Sequence, residues 1–374
     1  LDRLYGDLSR WQDLSELLMR RIEKAERTQQ KDAWTALKLR LGDLYEQQLS
    51  DLSRAIDCYE EVLARHAQNG TAIAALERLL SGLSERHTLR FRVAQILEPI
   101  YKASDAWAKL AGVYEVHLLF IDDKARRVEL LREISRLEET RGQNLEAAFS
   151  ALARAWNEES GEGEEREKPL YEELARLSAA IGEWGKLVAL LEQGVESSYD
   201  NELSARVYAR TAGIYDSHLG DRGKAIDAWR KVTAVHDEDE SAWKSLERLL
   251  AAEKRSAELV SVLEKRFTLS HDADEQKNLL FRAARLYEGD LAQPEKAIAT
   301  WRQVLQLDDR DATALEALAA LYEAREAWRD LCWVYTQQIE LAKNESARRP
   351  LRFAMARVYD EKLGDTSEAM GAYK

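Results

Sequence analysis

The chain has 374 residues, 33% of them charged and 45% hydrophobic, and its formal net charge at pH 7 is −13. The apolar fraction is enough for a continuous core and excludes a mostly disordered chain. The acidic balance, without a concentrated basic face, excludes nucleic acid as the expected partner. No stretch approaches the roughly 18 consecutive apolar residues of a membrane-spanning helix, so membrane insertion is not expected.

Helical periodicity is the dominant pattern along the chain, and it accords with a content of only 4 prolines. The stretch TAIAALERLLSGL (71–83) indicates a helix additional to the repeat described below. It is followed by RFRVAQILEPIYKASDAW (90–107), where Pro99 predicts a kink or an early end of the helix. We therefore expect residues 71–103 to be an irregular region in which the stack of helices bends.

A second irregularity is the acidic, glycine-bearing stretch NEESGEGEEREKP (157–169). Charged residues and glycines in this density are typical of a solvated connector rather than of a packed element. The sequence therefore predicts an acidic loop insertion here.

The last complete block of the sequence contains four amphipathic helices joined by short polar segments. In the first of them, Leu280, Ala283, Ala284 and Tyr287 fall on one face at helical spacing. Pro294 stands in the first turn of the second helix, where its missing N–H costs no hydrogen bond. Sustained alternation of apolar and polar residues is absent, so no sheet is expected. The predicted helices are 278–291, 294–307, 311–324 and 327–342.

The same pattern recurs along the chain in two registers. The first is a series of alanines, each with a register residue ten positions earlier and, in most cases, an aromatic four positions later. The alanines are Ala55, Ala147, Ala225, Ala297 and Ala369, and the register residues are Tyr45, Leu137, Tyr215, Tyr287 and Tyr359. The second register consists of Trp11, Trp107, Trp184, Ser256 and Trp328. Because both registers settle to a spacing of 72 residues and change spacing at the same places, they indicate a true internal repeat.

This pattern resembles the tetratricopeptide repeat family. The family places a small residue three positions before a tyrosine, as Gly42, Ala212, Ala284 and Ala356 stand here. The resemblance implies an all-α fold, a right-handed superhelical α-solenoid of antiparallel helix pairs in which stacked units share one core. It covers nearly all of 1–374, which we expect to be a single elongated solenoid truncated mid-repeat at both ends. Leucines at the small-residue places of alternate units predict looser packing there.

Motifs for chemistry are missing from the sequence. No two of the six histidines are three or four residues apart, and metal-site, phosphate-loop, dinucleotide and nucleophile-elbow motifs do not occur. We expect no catalytic residues, no metal and no cofactor. Trp184, Trp229, Trp301 and Trp328 lie on the repeat and are predicted to be core, whereas Trp34, Trp156, Trp243 and Trp333 lie off it.

The two cysteines, Cys58 and Cys332, fall on different repeat units. Cys58 occupies a place taken by Ala228 and Thr300 in other units, which favours a small helix residue. Unpaired cysteines weakly favour a reducing compartment, so a cytoplasmic location is slightly preferred.

The resemblance implies that the first helix of each pair lines a concave groove that holds a peptide or a helix of another protein. Groove candidates then lie beside the register residues, where the face changes from acidic to mixed with arginines. These positions could equally be ordinary solvated helix surface. The family's asparagine clamp for a partner's terminal carboxylate is replaced by other residues here. The candidates are Asp43, Glu46, Gln47, Ser135, Glu138, Glu139, Asp216, Ser217, Arg285, Glu288, Arg357, Asp360 and Glu361.

Three functional hypotheses fit these features. The first is a non-catalytic scaffold for protein–protein interaction that binds a partner segment in the groove. The second is a regulatory or sensory arm of a larger enzyme or transcription regulator whose active part lies outside this sequence. The third is an assembly subunit that associates end to end with itself. Sequence beyond residues 1 and 374 would separate the first two.

Overall fold

The computed structural model describes residues 2–159, 163–196 and 200–373. Over these residues the protein is all-α, without a β-strand, and two π-helical turns (Tyr215–Leu219 and Tyr359–Leu363) extend helices. The helices are α1 (Asp2–Asp7), α2 (Trp11–Arg27), α3 (Lys31–Gln47), α4 (Leu52–Arg65), α5 (Gly70–Gly82), α6 (Thr88–Ala103), α7 (Trp107–Leu118), α8 (Lys124–Thr140), α9 (Leu145–Glu159), α10 (Glu164–Ile181), α11 (Trp184–Glu196), α12 (Asn201–Ile214), α13 (Arg222–Val235), α14 (Glu240–Ala252), α15 (Ser256–Leu269), α16 (Ala273–Glu288), α17 (Pro294–Leu307), α18 (Ala312–Ala324), α19 (Trp328–Leu341), α20 (Glu345–Val358) and α21 (Thr366–Ala372).

Side-chain caps fix where many of these helices begin. At α18, for example, the Asp311 carboxylate accepts a hydrogen bond from the backbone N–H of Ala314 at 2.8 Å. Such a cap satisfies one of the orphan donors of the first turn and contributes about 1 kcal/mol. Among the described residues, aspartate or asparagine side chains cap eleven helices in this way, at Asp51, Asn69, Asp123, Asn144, Asp200, Asp221, Asp239, Asp272, Asp311, Asn344 and Asp365.

Two loop types recur along the chain and define the repeat geometrically. In the first, a residue with left-handed backbone conformation stands two positions before a helix that begins with a residue of the tryptophan register. These left-handed residues are Ser9, Asp105, Gly182, Lys254 and Glu326. Each of the helices α2, α7, α11, α15 and α19 therefore starts in the same way.

In the second loop type, the backbone N–H at the start of a helix donates to the carbonyl of the register residue six positions earlier. The accepting carbonyls belong to Tyr45, Glu138, Tyr215, Tyr287 and Tyr359. This corrects the register of the second block by one residue, from Leu137 to Glu138 and from Ala147 to the fully buried Ala148. Sequence matching chose wrongly there because alanine occupies both 147 and 148.

The chain divides into two compact units, one up to Leu190 and one from Leu191 onward. In each, consecutive helices pack on one another around a row of buried side chains. In the second unit, Trp301 is fully buried among Ala284, Tyr287 and the leucines of α18. The first unit buries Trp34 and Trp156 in the same manner.

The predicted tryptophan core is correct only for Trp301. Trp184, Trp229 and Trp328 are half-buried. Trp184 and Trp328 are the first residues of their helices, and a helical side chain lies over the turn that precedes it. No such turn exists at a helix start, which leaves part of these rings uncovered.

The irregular region is helical throughout most of its length. Helix α6 runs four residues past Pro99 to Ala103, so the expected early end does not occur. Helix α6 packs against α4 as well as α5 and α7, and these helices border an open cleft of about 830 Å³ that is lined by Leu63, Ile96 and Tyr101 among others.

The predicted acidic loop is shorter than 157–169. Helix α9 continues through Glu159, and α10 already begins at Glu164. The first turn of α10 contains acidic residues, whose negative charges interact favourably with the positive end of the helix dipole. Residues 160–162 of the predicted loop lie outside the described residues.

Candidate functional site

In the first block, Asp43 and Gln47 are exposed in the last turn of α3, whereas the Glu46 side chain is only 7% accessible. The Tyr59 hydroxyl lies 2.9 Å from Asp43 Oδ1 and 3.0 Å from Glu46 Oε2, and its single proton is shared between the two carboxylates. Arg78 of α5 donates to both oxygens of Glu46, at 2.8 and 2.7 Å. Burial alone would raise the pKa of Glu46, but the hydrogen bonds from Arg78 and Tyr59 hold that pKa below its usual range. Gln47 is exposed beside them.

In the second block, the candidates on α8 separate into two groups. Glu139 is bound by both terminal nitrogens of Arg176 on α10, at 2.5 and 2.7 Å, and this hydrogen bonding lowers the pKa of Glu139. Glu138 is the register residue itself and is half-buried.

Ser135 does not belong to an exposed face, because only 3% of its surface is accessible. With the register corrected to Glu138, Ser135 stands three positions before the register residue. That is the small-residue position which Gly42 and Ala284 occupy in other blocks, where neighbouring helices approach closely. Its inclusion among the groove candidates was therefore wrong, as a consequence of the one-residue shift.

A cross-helix bridge recurs in the first three blocks. The carboxylate that follows the register residue pairs with an arginine two helices later in the chain. These cross-helix bridges are Glu46–Arg78, Glu139–Arg176 and Asp216–Arg248. Asp216 lies in the first π-helical turn, with the exposed Ser217 beside it. The bridging arginines were missed by sequence reasoning, although two of the three pairs share a spacing of 32 residues that could have revealed them.

The fourth block has the carboxylate without the arginine. Glu288 follows the register residue Tyr287, but Ala320 stands 32 positions later. Among the described residues, Glu288 instead accepts from Arg285 of its own helix, at 3.2 Å. The Arg285 guanidinium is exposed and lies 5.4 Å from the centroid of the Trp301 ring.

The fifth block repeats this exposed arrangement. Arg357 of α20 is exposed and donates from Nε to Glu361 at 2.9 Å. Asp360 and Glu361 lie in the second π-helical turn and are exposed as well. A guanidinium carries five N–H donors, so a single carboxylate neighbour leaves most of them directed to solvent.

Two further features of the described residues concern metal binding and membrane spanning. Over residues 2–159, 163–196 and 200–373, no group of three or more histidine, cysteine, aspartate or glutamate side chains is placed to hold a metal ion. Within the same ranges, no helix is both long enough and apolar enough to span a bilayer.

Two segments of the chain match the models of a known family. Residues 36–69 and 314–349 each match a model of the tetratricopeptide repeat family. No curated protein matches the sequence significantly. The helices, loop types and registers define an all-α helical-repeat protein. The chain thus contains segments similar to tetratricopeptide repeats, and these support a repeat scaffold for protein interaction.

Several solved structures have low similarity to the chain. A tetratricopeptide repeat protein from Parabacteroides merdae has 12% identity and a TM-score of 0.30, covering 66% of this chain and 91% of that chain. The C-terminal part of a repeat-containing protein from Cytophaga hutchinsonii has 14% identity and a TM-score of 0.31, covering 70% and 98%. YrrB, described as having an unusual peptide-binding site, has 13% identity and a TM-score of 0.29, covering 49% and 88%.

The family matches also show which helices are first helices of a pair. The match at 36–69 spans α3 and α4, and the match at 314–349 spans α18 and α19. Helix α18 is therefore a first helix, and by the 72-residue repeat so is α14. The cross-helix bridge between Asp216 and Arg248 thus links the π-helical turn after α12 to α14.

Proposed function

We propose that the protein is a non-catalytic interaction scaffold that binds a segment of another protein on the exposed face of its first helices, with Arg285 and Arg357 as the principal donors. The observation that carries this proposal is the replacement of the bridging arginine by Ala320 in the fourth block. Arg285 and Glu288 consequently lack the cross-helix bridge that occupies the equivalent carboxylates elsewhere.

The energetic difference between the blocks favours this location. A segment that docks on Glu46 must displace the two hydrogen bonds from Arg78 and the contact with the Tyr59 hydroxyl. The displaced guanidinium and hydroxyl then need new hydrogen-bond partners, which costs free energy. A segment docking beside Arg285 displaces mainly water from an exposed guanidinium whose stacking on Trp301 already restricts its orientation. Acidic or carbonyl-rich segments suit these donors.

The test is capture from a lysate followed by titration of the captured protein against purified chain. The wild type is compared with the double variant Arg285→Glu/Arg357→Glu. The matched control is Arg310→Glu/Lys343→Glu, which changes the charge equally at exposed loop positions of the same unit. We expect the first variant to weaken binding at least tenfold, about 1.4 kcal/mol, and the control to bind like the wild type.

Equal binding by all three proteins, with unchanged helicity and melting temperature, would place the partner on another surface. Equal loss in both variants would mean that net charge rather than this face governs binding. Either result contradicts the proposed location.

A further inference from the structure

An ion pair joins an alanine-register helix to the following tryptophan-register helix in two blocks of the second unit. The residue five positions after the register alanine pairs with the residue two positions after the start of the later helix. These pairs are Arg230–Glu258 and Arg302–Asp330. Between α13 and α15, Arg230 and Glu258 both line a cleft of about 400 Å³, so the ion pair spans this cleft.

The equivalent cleft of the first unit, between α4 and α7, is not spanned in this way. The same two positions are Glu60 and Lys109, with the charges exchanged. Glu60 accepts a hydrogen bond from Arg92 of α6 at 2.5 Å, and Lys109 donates to Glu77 of α5 at 2.6 Å. Because α5 and α6 engage these two side chains, Glu60 and Lys109 do not bind each other, and the cleft measures about 830 Å³.

The lining of the α4–α7 cleft favours an uncharged, apolar occupant. Its two acidic and two basic residues are the ones already paired above, so no charge in the lining is uncompensated. A charged occupant would be desolvated without gaining a free partner, whereas an apolar group displaces mainly water. The largest aliphatic side chains of the lining are Leu63, Ile73, Ile96 and Ile100.

One backbone acceptor in this cleft lacks its usual donor. Pro99 lies inside α6, and both Pro99 and Gln95 line the cleft. Proline has no N–H, so the carbonyl of Gln95 receives no hydrogen bond from residue 99. The proline ring lies beside the carbonyl four residues earlier, which puts this acceptor on the side of α6 that borders the cleft. An occupant with an N–H donor would satisfy it.

The cleft of the second unit contains a side chain with these properties. Trp243 of α14 lines the α13–α15 cleft, and its indole Nε1 donates to the backbone carbonyl of Asp237 at 2.8 Å. At the equivalent position the first unit has Ile73, which is smaller and has no donor. An indole is apolar over most of its surface and carries one N–H, so it matches both the lining and the free acceptor of the α4–α7 cleft.

We propose that the α4–α7 cleft binds a tryptophan side chain of another protein, with the indole against Ile96 and Ile100 and its N–H donated to the carbonyl of Gln95. The net charge of −13 opposes close approach of a second copy, which favours a different protein as the source. None of the candidate groove residues lines this cleft, so the inference does not depend on the proposed function.

The test uses a capped glycine–tryptophan–glycine peptide whose indole carries fluorine. Fluorine NMR follows its titration with the whole purified chain, so the chain's own 10 tryptophans do not interfere. We expect saturable binding with a dissociation constant of about 1 mM or below. The same peptide methylated at the indole nitrogen has no N–H and should bind about fivefold more weakly.

Two substitutions separate the parts of the proposal. Ile73→Trp gives the cleft an indole of its own, as in the second unit, and should weaken peptide binding at least tenfold. Leu119→Trp adds an indole at an exposed position of the same unit and should leave binding unchanged. Pro99→Ala returns a donor to the carbonyl of Gln95, so the two peptides should bind it equally. Pro350→Ala, inside α20, should preserve the difference between the peptides.

Melting temperatures would show whether each variant is folded, and the Pro99→Ala comparison decides alone if Ile73→Trp is destabilised. Absence of saturable binding at millimolar peptide, or equal binding by wild type and a folded Ile73→Trp variant, would overturn the proposal. A preference for the N–H peptide that persists in Pro99→Ala would overturn the assignment of Gln95 as the acceptor. Self-association of the chain that Ile73→Trp abolishes would also contradict the proposal, since it would make a second copy the occupant.

Discussion

Gly42 lies directly against the ring of Tyr59. A Cβ atom at this position would stand 2.6 Å from Cε1 and 2.9 Å from Cζ of the ring, closer than real Cβ contacts. The ring has little freedom to retreat, because it is fully buried and its hydroxyl lies within hydrogen-bond distance of both Asp43 and Glu46. Glycine at the helix crossing and tyrosine beside it therefore form one packing unit.

Substituting Gly42→Ala should destabilise the protein by about 1–3 kcal/mol, because the added methyl overpacks the crossing. A urea titration followed by circular dichroism would measure the change in the free energy of unfolding. Gly112→Ala is the matched control: Gly112 lies in α7 of the same unit, and a Cβ there meets no heavy atom within 4 Å. That substitution should stabilise the helix by up to about 1 kcal/mol.

Repeating the Gly42→Ala substitution in a Tyr59→Leu variant distinguishes two causes of the lost stability: overpacking against the tyrosine ring, and the change in backbone freedom when glycine becomes alanine. In the second block Leu152 takes the place of the ring, opposite Ser135 at the small-residue position. With leucine at 59, Gly42→Ala should cost markedly less than it does beside tyrosine. An equal cost in both backgrounds would refute the packing explanation.

Helix locations were predictable where local chemistry marks them. The predicted helix 294–307 matches α17 at both ends because Pro294 is suited to a first turn, while α16 begins earlier than predicted at its Asp272 cap. The one-residue error at Leu137 arose because adjacent alanines gave no sequence signal, whereas the loop hydrogen bond to Glu138 is visible only in space. The cross-helix bridges were missed although two of them share a spacing of 32 residues, because the third pair, Glu139–Arg176, is 37 residues apart and breaks that pattern.

The bridge between Glu139 and Arg176 should stabilise the protein in a pH-dependent manner. Because hydrogen bonding by Arg176 lowers the pKa of Glu139 in the folded state, the stabilisation is present above the unfolded pKa of about 4.3. It is lost as the pH falls through the lower folded value. Both side chains are partly exposed, so we expect Arg176→Met to cost no more than about 1 kcal/mol at neutral pH.

Urea titrations at neutral and acidic pH would check this effect. The difference between wild type and Arg176→Met should shrink below about pH 4 and also shrink in high salt. Arg310→Met, at an exposed loop position, should show no such dependence. A difference that stays constant across pH would indicate lost packing of the arginine side chain instead.

His117 should make the first unit less stable in mild acid. It is only 5% exposed, and burial lowers its pKa; Arg126 and Lys102 act in the same direction, while Glu98, 3.6 Å from Nδ1, opposes them. The unfolded chain therefore binds the proton more readily, and stability should fall as the pH drops below about 6.5.

Replacing His117 by phenylalanine tests this predicted fall of stability with decreasing pH. The imidazole already packs edge to face against Phe91, with centroids 5.3 Å apart, so an aromatic ring is compatible with the site. Between about pH 7.5 and pH 5.5, His117→Phe should lose less stability than the wild type, by up to about 1 kcal/mol. His66→Phe, at an exposed position, should keep the wild-type slope.

Neither cysteine should react with thiol reagents while the protein is folded. Burial raises the pKa of Cys58 to about 11, with the carboxylates of Glu61 and Asp57 adding to the shift against the opposing charge of Lys38. Burial also raises the pKa of Cys332. Because the thiolate is the reactive form, modification by a disulfide reagent near pH 8 should be slow and should proceed only through opening of the helices.

Both thiols should react rapidly in denaturant, and Cys58→Ala should remove one of the two equivalents of reagent consumed. Rapid labelling of either thiol without denaturant would show that its helix opens readily in the native protein.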